Sequence, residues 1–372
     1  MNILITGAFG FVGNNLLQEL NSENTHLIAV DINEPENHIF DAYYSWNDLE
    51  TINFEEIDTI IHLAGKAHDT KNTTEEKAYF EINVGLTQKI FEYFLKSNAT
   101  KFIYFSSVKA VADSVEGEFL TEEAEAKPQT AYGRSKLEAE KFIERRMREW
   151  EMEREGDEAT WRKGDGAKKR RSDEAKGRKG DDAKERRGEE EKGREGESAE
   201  RFLSSFGMTG GKKVYILRPC MIHGPGNKGN LNLLYKLVKK GIPWLLGSFE
   251  NKRSFCSIAN VQFVIQQLIE KDIKPGVYNM ADDEAISTNQ LIQLISASQN
   301  KKARIWNISP KVIRVLARVG DYLHLPLNSE RLKKLTESYV VSNSKLKKAL
   351  GTKKMPIGAE EGMRETVRKM SE

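Results

Sequence analysis

The run Thr6-Gly7-Ala8-Phe9-Gly10-Phe11-Val12-Gly13 holds three glycines spaced three apart. An apolar run, Ile3–Ile5, leads into it, and Leu16, Leu17 and Leu20 follow at helical spacing. At a strand-to-helix turn each glycine has its own task. Gly7 permits the tight turn, Gly10 lets a pyrophosphate approach the backbone, and Gly13 lets helix and strand pack closely. The N–H groups at the start of the helix then face the phosphates. Phe9, Phe11 and Val12 are part of that cradle. Asp31 stands 18 residues beyond Gly13, at the end of the next apolar run, Leu27–Val30. A carboxylate there can take both ribose hydroxyls and repels a 2′-phosphate. Ile32 and Asn33 follow it rather than an arginine, so the expected cofactor is NAD and not NADP.

The elements around this turn repeat. Further strand-like runs are Thr59–Leu63, Phe102–Phe105 and Val214–Leu217, with helical periodicity over Val84–Phe94 and Ser135–Ile143 between them. Strands alternating with helices imply a parallel, doubly wound α/β sheet of the Rossmann type. We expect an NAD-binding domain over residues 1–145. Residues 212–372 would supply the last Rossmann elements and a smaller C-terminal substrate-binding domain.

Between them lies a segment of another kind. Charged residues are 31% of the 372-residue chain, above the roughly 25% of ordinary domains. Residues 145–201 hold 19 Lys/Arg and 18 Asp/Glu, which accounts for the excess. From Gly156 the chain reads GDEATWRK, GDGAKKRR, SDEAKGRK, GDDAKERR, GEEEKGRE and GESAERFL, a degenerate octapeptide. A solenoid unit needs an apolar face to stack on, and these units offer little beyond an alanine. Recurring glycine penalises a continuous helix by about 1 kcal/mol each. We expect a charged insert over residues 146–211, mostly disordered or loosely helical, and helical at its start, where the helix around Lys136–Trp150 runs into it.

Composition excludes several classes. A net charge of +2 argues against a dedicated nucleic-acid binder. Cys220 and Cys256 are the only cysteines, too few for a disulfide scaffold or a thiolate metal cluster; no metal is expected. No apolar run reaches the roughly 18 residues of a membrane span, and Met1 leads into Asn2–Thr6 without a basic signal region. A cytoplasmic protein is expected.

With the glycine turn, the acid and the alternation in place, the chain resembles the extended short-chain dehydrogenases, specifically the NAD-dependent epimerase/dehydratase family acting on nucleotide sugars. His62-Leu63-Ala64-Gly65 is similar to the family's cofactor-lining segment, Asp48-Leu49 to its adenine-contacting pair, and Asn83 to the asparagine opening its next helix. His62 also reads as a packed strand histidine. The resemblance implies that Tyr132 and Lys136 are the catalytic Tyr-x-x-x-Lys pair. Four residues apart on a helix, they share a face. An ammonium beside the phenol, with an oxidised nicotinamide, lowers the tyrosine pKa from about 10 so that it can act as a base. Tyr235 and Lys239 repeat the spacing. Only Tyr132, however, follows a strand ending in Ser106-Ser107, with Ser107 25 residues upstream. Ser107 would hold the substrate hydroxyl, with Ser106 in reserve.

Sugar 4,6-dehydratases of this family carry an acidic pair just after the equivalent serine or threonine. Here Val108-Lys109 stands there, which argues against a dehydratase. What remains is an NAD-dependent 4-epimerase of a UDP-hexose or UDP-N-acetylhexosamine. The alternatives are an NAD(P)H-dependent reductase of a UDP-4-keto-amino sugar and, from another class, a non-catalytic NAD-binding scaffold. Further on, Arg218-Pro219 and His223-Gly224-Pro225-Gly226 resemble the family's Arg-Pro…Tyr-Gly-Pro run, with histidine in place of tyrosine. Gly229-Asn230 and Arg253 resemble its diphosphate contacts, Arg331 is a further candidate, and Asn260 replaces a familiar acid. The resemblance also implies a homodimer. The basic, amphipathic stretch Val312–Tyr322 is expected to turn its apolar stripe to the core, although such a stretch can also lie on a membrane.

Overall fold

The computed structural model describes residues 1–34, 39–66, 75–168, 211–227, 230–323 and 328–370. Its centre is a seven-stranded sheet. The strands are β1 (Asn2–Thr6), β2 (His26–Asp31), β3 (Ala42–Ser45), β4 (Thr59–His62), β5 (Lys101–Phe105), β6 (Lys213–Pro219) and β9 (Gly276–Met280), in spatial order β3-β2-β1-β4-β5-β6-β9. Every pairing is parallel. The order reverses beside β1, which opens a crevice at the carboxyl ends of β1 and β4. The chain is thus a Rossmann-type α/β protein. Two further strands, β7 (Met221–His223) and β8 (Phe255–Ser257), form a separate parallel pair.

All five runs expected as strands lie in the sheet. The edge strands β3 and β9 were not anticipated. β3 is four half-buried residues without an apolar run, and β9 opens on Gly276 and carries Asn279 as its fourth residue of five. The outer edge of β9 is covered, since Asn279 N donates to buried Glu122 at 2.7 Å.

Helices pack on both faces. On one side α1 (Phe11–Leu20) lies against α6 (Ile258–Glu270) over Ile3, Ile5, Ile103 and Leu217. On the other, α3 (Gly85–Lys96) and α4 (Ala131–Lys168) cover Leu4, Ile60, Phe102 and Ile216. A short α2 (Glu76–Asn83) precedes α3. A third apolar cluster draws on α5 (Asn230–Lys239), α7 (Thr288–Ser298), α8 (Pro310–Leu323), α9 (Ser329–Thr336) and α11 (Ala359–Lys369). α10 (Ser344–Leu350) joins the first cluster instead, through Leu346 and Leu350.

α4 runs past Trp150 to Lys168, through Gly156, Gly164 and Gly166. The rest of the repeat, 169–210, lies outside the described residues. In α8 the apolar stripe is not core-facing. Only Ile313, Ala317 and Gly320 are buried, while Val312, Val315, Leu316 and Val319 are exposed. The helix has two apolar faces, and sequence periodicity does not say which one the core takes.

Candidate functional site

The glycine turn is built for close approach. Gly7 has φ +67, and a Cβ there would stand 2.7 Å from Ala64 N. A Cβ on Gly13 would stand 2.4 Å from Ala8 O. Gly10 is the N-cap of α1 and brings no side-chain cap, so the first-turn N–H groups are left to a ligand. Phe9 packs against Phe40 and Tyr43. Phe11 and Val12 pack on the first apolar cluster, so these three residues offer a ligand backbone more than side chain. Asp31 Oδ2 accepts from Phe9 N at 2.8 Å and Oδ1 from Ile32 N at 2.7 Å. The acid therefore fixes the glycine turn as well as standing beside it. A bare backbone cradle with an acid at the end of β2 fits a dinucleotide. Asp48 and Leu49 are less open to a ligand. Asp48 accepts from Ser45 Oγ at 2.5 Å, and the Leu49 side chain is wholly buried in the core.

Behind the cradle runs a relay of hydroxyls. Ala64 N donates to Thr6 Oγ1 (3.3 Å), which meets His62 Nδ1 (2.6 Å). His62 Nε2 meets Thr87 Oγ1 (2.9 Å), which donates to Asn83 O (2.7 Å). Because the Thr87 proton goes to Asn83, Nε2 must be the ring's donor and Nδ1 its acceptor. His62 is thus a neutral, packed strand histidine; burial first, then the Lys136 charge, pulls its pKa down to about 3. Asn83 ends α2. Its Oδ1 accepts from Lys66 N at 2.7 Å and its Nδ2 donates to Ser135 Oγ at 2.9 Å. It clamps the segment after Leu63-Ala64-Gly65 to the residue before Lys136. Gly65 is needed there, since a Cβ would stand 2.8 Å from Asn83 Oδ1 and 3.2 Å from Lys136 Nζ.

Tyr132 and Lys136 sit in the first two turns of α4, beside the end of β5. Ser107 hydrogen-bonds the Tyr132 hydroxyl, and this bond opposes burial, which raises the Tyr132 pKa above its ordinary value. Tyr79 meets the Tyr132 ring edge-on at 6.2 Å. Lys136 Nζ donates to Phe105 O at 2.9 Å and lies 5.0 Å over the Tyr104 ring. Burial lowers its pKa to about 8, against the upward pull of Glu140. The protein alone therefore leaves Tyr132 protonated at neutral pH.

One turn beyond Lys136, Glu140 is 1% exposed. Arg218 Nε and Nη2 grip its two oxygens at 3.0 and 2.6 Å, and Ser106 Oγ donates to it as well. Ser106 is thereby committed to Glu140, which leaves Ser107 as the serine beside Tyr132. Sequence reasoning missed this triad and the Thr6–His62–Thr87 relay. A glutamate four residues past the lysine on the same helix face was the available signal.

The substrate-side candidates are more scattered. Arg253 lies in a bridge between Ile286 and Tyr339, and one Nη donates to Lys334 O. Its Nε is buried without a hydrogen-bond partner. Lys109 lies 4.6 Å over the Tyr339 ring and 3.5 Å from Asp113, and its pKa is lowered first by burial, with Arg253 adding to the effect. Arg331 is exposed in the first turn of α9, its N donating to Asn328 Oδ1. Asn230 opens α5; Gly229 lies outside the described residues. The second tyrosine, Tyr235, packs in the third apolar cluster. His223 is also structural, with Nδ1 on Thr366 Oγ1 (2.9 Å) and Nε2 on Asp282 (3.3 Å). Asn260 donates to Asp282 at 2.7 Å and pairs with the Ile357 backbone. Cys220 and Cys256 are buried.

Residues 3–153 match the NAD dependent epimerase/dehydratase family. A UDP-glucose 4-epimerase of Vibrio cholerae is 25% identical over 98% of this chain and 94% of its own length. The N-acetyl-alpha-D-glucosaminyl-diphospho-ditrans,octacis-undecaprenol 4-epimerase of Escherichia coli O157:H7 is 24% identical over 94% of this chain and 86% of its own. Among solved structures, UDP-glucuronic acid 4-epimerase from Bacillus cereus in complex with NAD shares the fold, with a TM-score of 0.62 at 16% identity over 100% of this chain and 99% of its own. The family match thus takes in the glycine turn and the Tyr132/Lys136 helix, and with the near full-length 4-epimerase relatives it makes the chain an NAD-dependent enzyme of the extended short-chain dehydrogenase type.

Proposed function

We propose that the chain is a 4-epimerase of a sugar carried on a diphosphate, with a UDP-hexose or UDP-N-acetylhexosamine as substrate. The observation that carries this is the Ser107–Tyr132 hydroxyl pair, one helical turn from the Lys136 ammonium and followed by buried Val108 rather than a carboxylate. Tyr132 Oη takes the proton of the carbon-4 hydroxyl, which Ser107 orients. Lys136 supplies positive charge close by, and bound NAD would supply the hydride acceptor and a second positive charge. The ketone turns over, and Tyr132 returns the proton to the carbon-4 oxygen as that carbon regains, on its other face, the hydride that bound NAD would hold. Val108 and Lys109 follow Ser107 where an acidic pair would serve to expel a neighbouring hydroxyl as water, so the chemistry stays at one carbon. Arg253, with its unpartnered Nε, would grip the diphosphate, as a planar guanidinium suits, with Asn230 and Arg331 as further contacts.

A second reading concerns the far side of the diphosphate, where a polyisoprenol could replace the nucleoside. It is favoured by the outward apolar stripe of α8. The test is incubation with a panel of UDP-sugars and polyisoprenyl diphosphosugars, with and without NADH. Interconversion of 4-epimers without added reductant supports the epimerase. Stoichiometric consumption of NADH with a 4-keto sugar would replace it by a reductase. No turnover despite NAD binding would leave a scaffold.

A further inference from the structure

We infer that α8 and the cleft beside it form a docking surface for an anionic lipid bilayer. The helix has three faces. Ile313, Ala317 and Gly320 are buried. Val312, Val315, Leu316, Val319, Tyr322 and Leu323 form a second face and are between 45% and 85% exposed. Their spacing of three and four keeps them on one stripe. Lys311, Arg314 and Arg318 form the third face, also exposed. Arg314, Arg318 and Lys333 of α9 line a cleft of about 440 Å³ with Phe249 and Leu332. Among the described residues no carboxylate pairs with these three cations. The nearby acids are engaged elsewhere, Asp321 by Ser329 N and Oγ and Glu330 by Lys334.

An apolar stripe beside a basic row is what an interfacial helix needs. The stripe enters the acyl boundary and the row meets anionic headgroups. A second copy of the chain fits less well. A two-fold contact sets the same patch on both sides, so each basic row would face its own kind with its acids already taken. The amphipathic stretch was legible in sequence, but its exposure was not. Among the described residues no helix is long and apolar enough to cross a membrane, so the contact is with the surface. The surface also lies next to the candidate diphosphate grip, since α9 carries Lys333 into the cleft and offers Lys334 O to Arg253.

The experiment uses the full chain and vesicles of phosphatidylcholine alone or mixed equally with phosphatidylglycerol. The protein should sediment with the anionic vesicles and not with the zwitterionic ones, and added salt should weaken the binding. Two variants test the two faces, Leu316→Asp with Val319→Asp and Arg314→Glu with Arg318→Glu. Each should lower vesicle binding by more than about tenfold. Thermal melting and turnover of a soluble nucleotide sugar should match the parent, because none of these side chains lies in the core or beside Tyr132. A parent that stays in solution with anionic vesicles overturns the inference, as does undiminished binding by the aspartate variant. A parent dimer that the aspartate variant dissolves, without vesicle binding, would assign the face to a second copy.

Discussion

The single phenol of Tyr132 carries the proposed chemistry, and its surroundings set the expected cost of removing it. Tyr132→Phe keeps the ring that Tyr79 packs on and removes only the proton acceptor. Turnover should fall by about a hundred- to ten-thousandfold, the range of a lost general acid–base group, while NAD binding measured by calorimetry stays close to the parent. Parent-like turnover would remove Tyr132 from the mechanism. Asp31 has two tasks that substitutions can separate. Its Oδ2 holds Phe9 N, and its charge faces the expected ribose. Asp31→Asn keeps an acceptor for Phe9 but loses the charge, so NADP should gain on NAD with little change in melting temperature. Asp31→Ala loses both, and NAD affinity should fall about tenfold to a hundredfold, the worth of a charge-assisted hydrogen bond. Equal parent affinity for NAD and NADP would count against the ribose assignment.

At the scale of the element, α4 is held to the sheet by the buried Glu140–Arg218 pair, and this bears on Lys136. Burial sets the Lys136 pKa at about 8, with Glu140 pulling it upward. Turnover should therefore fall as pH rises above about 8, where Lys136 loses its charge. The same group moves stability the other way. Its folded pKa lies below the unfolded 10.5, so the unfolded chain binds more protons between those values and this contribution to stability grows with pH. Glu140→Gln should shift the alkaline limb of the turnover profile to lower pH. It should also cost about 3–5 kcal/mol by leaving Arg218 buried and unpaired. Glu140→Leu with Arg218→Met should recover much of that stability, as apolar replacement of buried pairs does, without restoring the alkaline limb. A limb that does not move in either variant would show that Glu140 serves the fold alone. The contrast also explains what the sequence allowed to be read. The glycine turn, Asp31 and the five inner strands are local signals, visible as runs and spacings. Glu140 and Arg218 are 78 residues apart, and His223 and Thr366 143 apart; no spacing rule joins them. β3 and β9 were missed because edge strands need no long apolar run. The outward turn of α8 was missed because either of its apolar faces satisfies the same period.

At the scale of the whole molecule, a sheet protein has to carry a charged repeat between α4 and β6. Its two attachment points make this possible. Outgoing, Trp150 packs on the second apolar cluster and carries the Arg154 guanidinium 4.9 Å over its ring. Returning, Lys212 lies 5.9 Å over that same ring. Lys212 Nζ also donates to Phe94 O, Ser97 O and Ala99 O, each at 2.8 Å, and so caps the end of α3. The chain leaves and re-enters at one place, and both ends are fastened before the repeat begins. The excursion need not be held open by the fold, and removing it need not strain β6. We expect that replacing residues 156–209 by a short glycine-serine linker leaves turnover within about tenfold of the parent, a difference of about 1.4 kcal/mol in transition-state stabilisation. The melting temperature should hold or rise, because each halving of a loop relieves about 0.6 kcal/mol of closure entropy. Near-balanced charge, 19 basic against 18 acidic residues over 145–201, gives the repeat little long-range pull on an anionic substrate. The deletion must spare Trp150, Arg154 and Lys212. Cutting back to Arg148 instead should lower the melting temperature, because the Lys212 cap would lose the ring it lies on. Steady-state kinetics and thermal melting of the two deletions against the parent decide the matter. A loss of turnover efficiency beyond about tenfold in the shorter deletion, with melting unchanged, would make the repeat part of the catalytic cycle rather than a passenger of the fold.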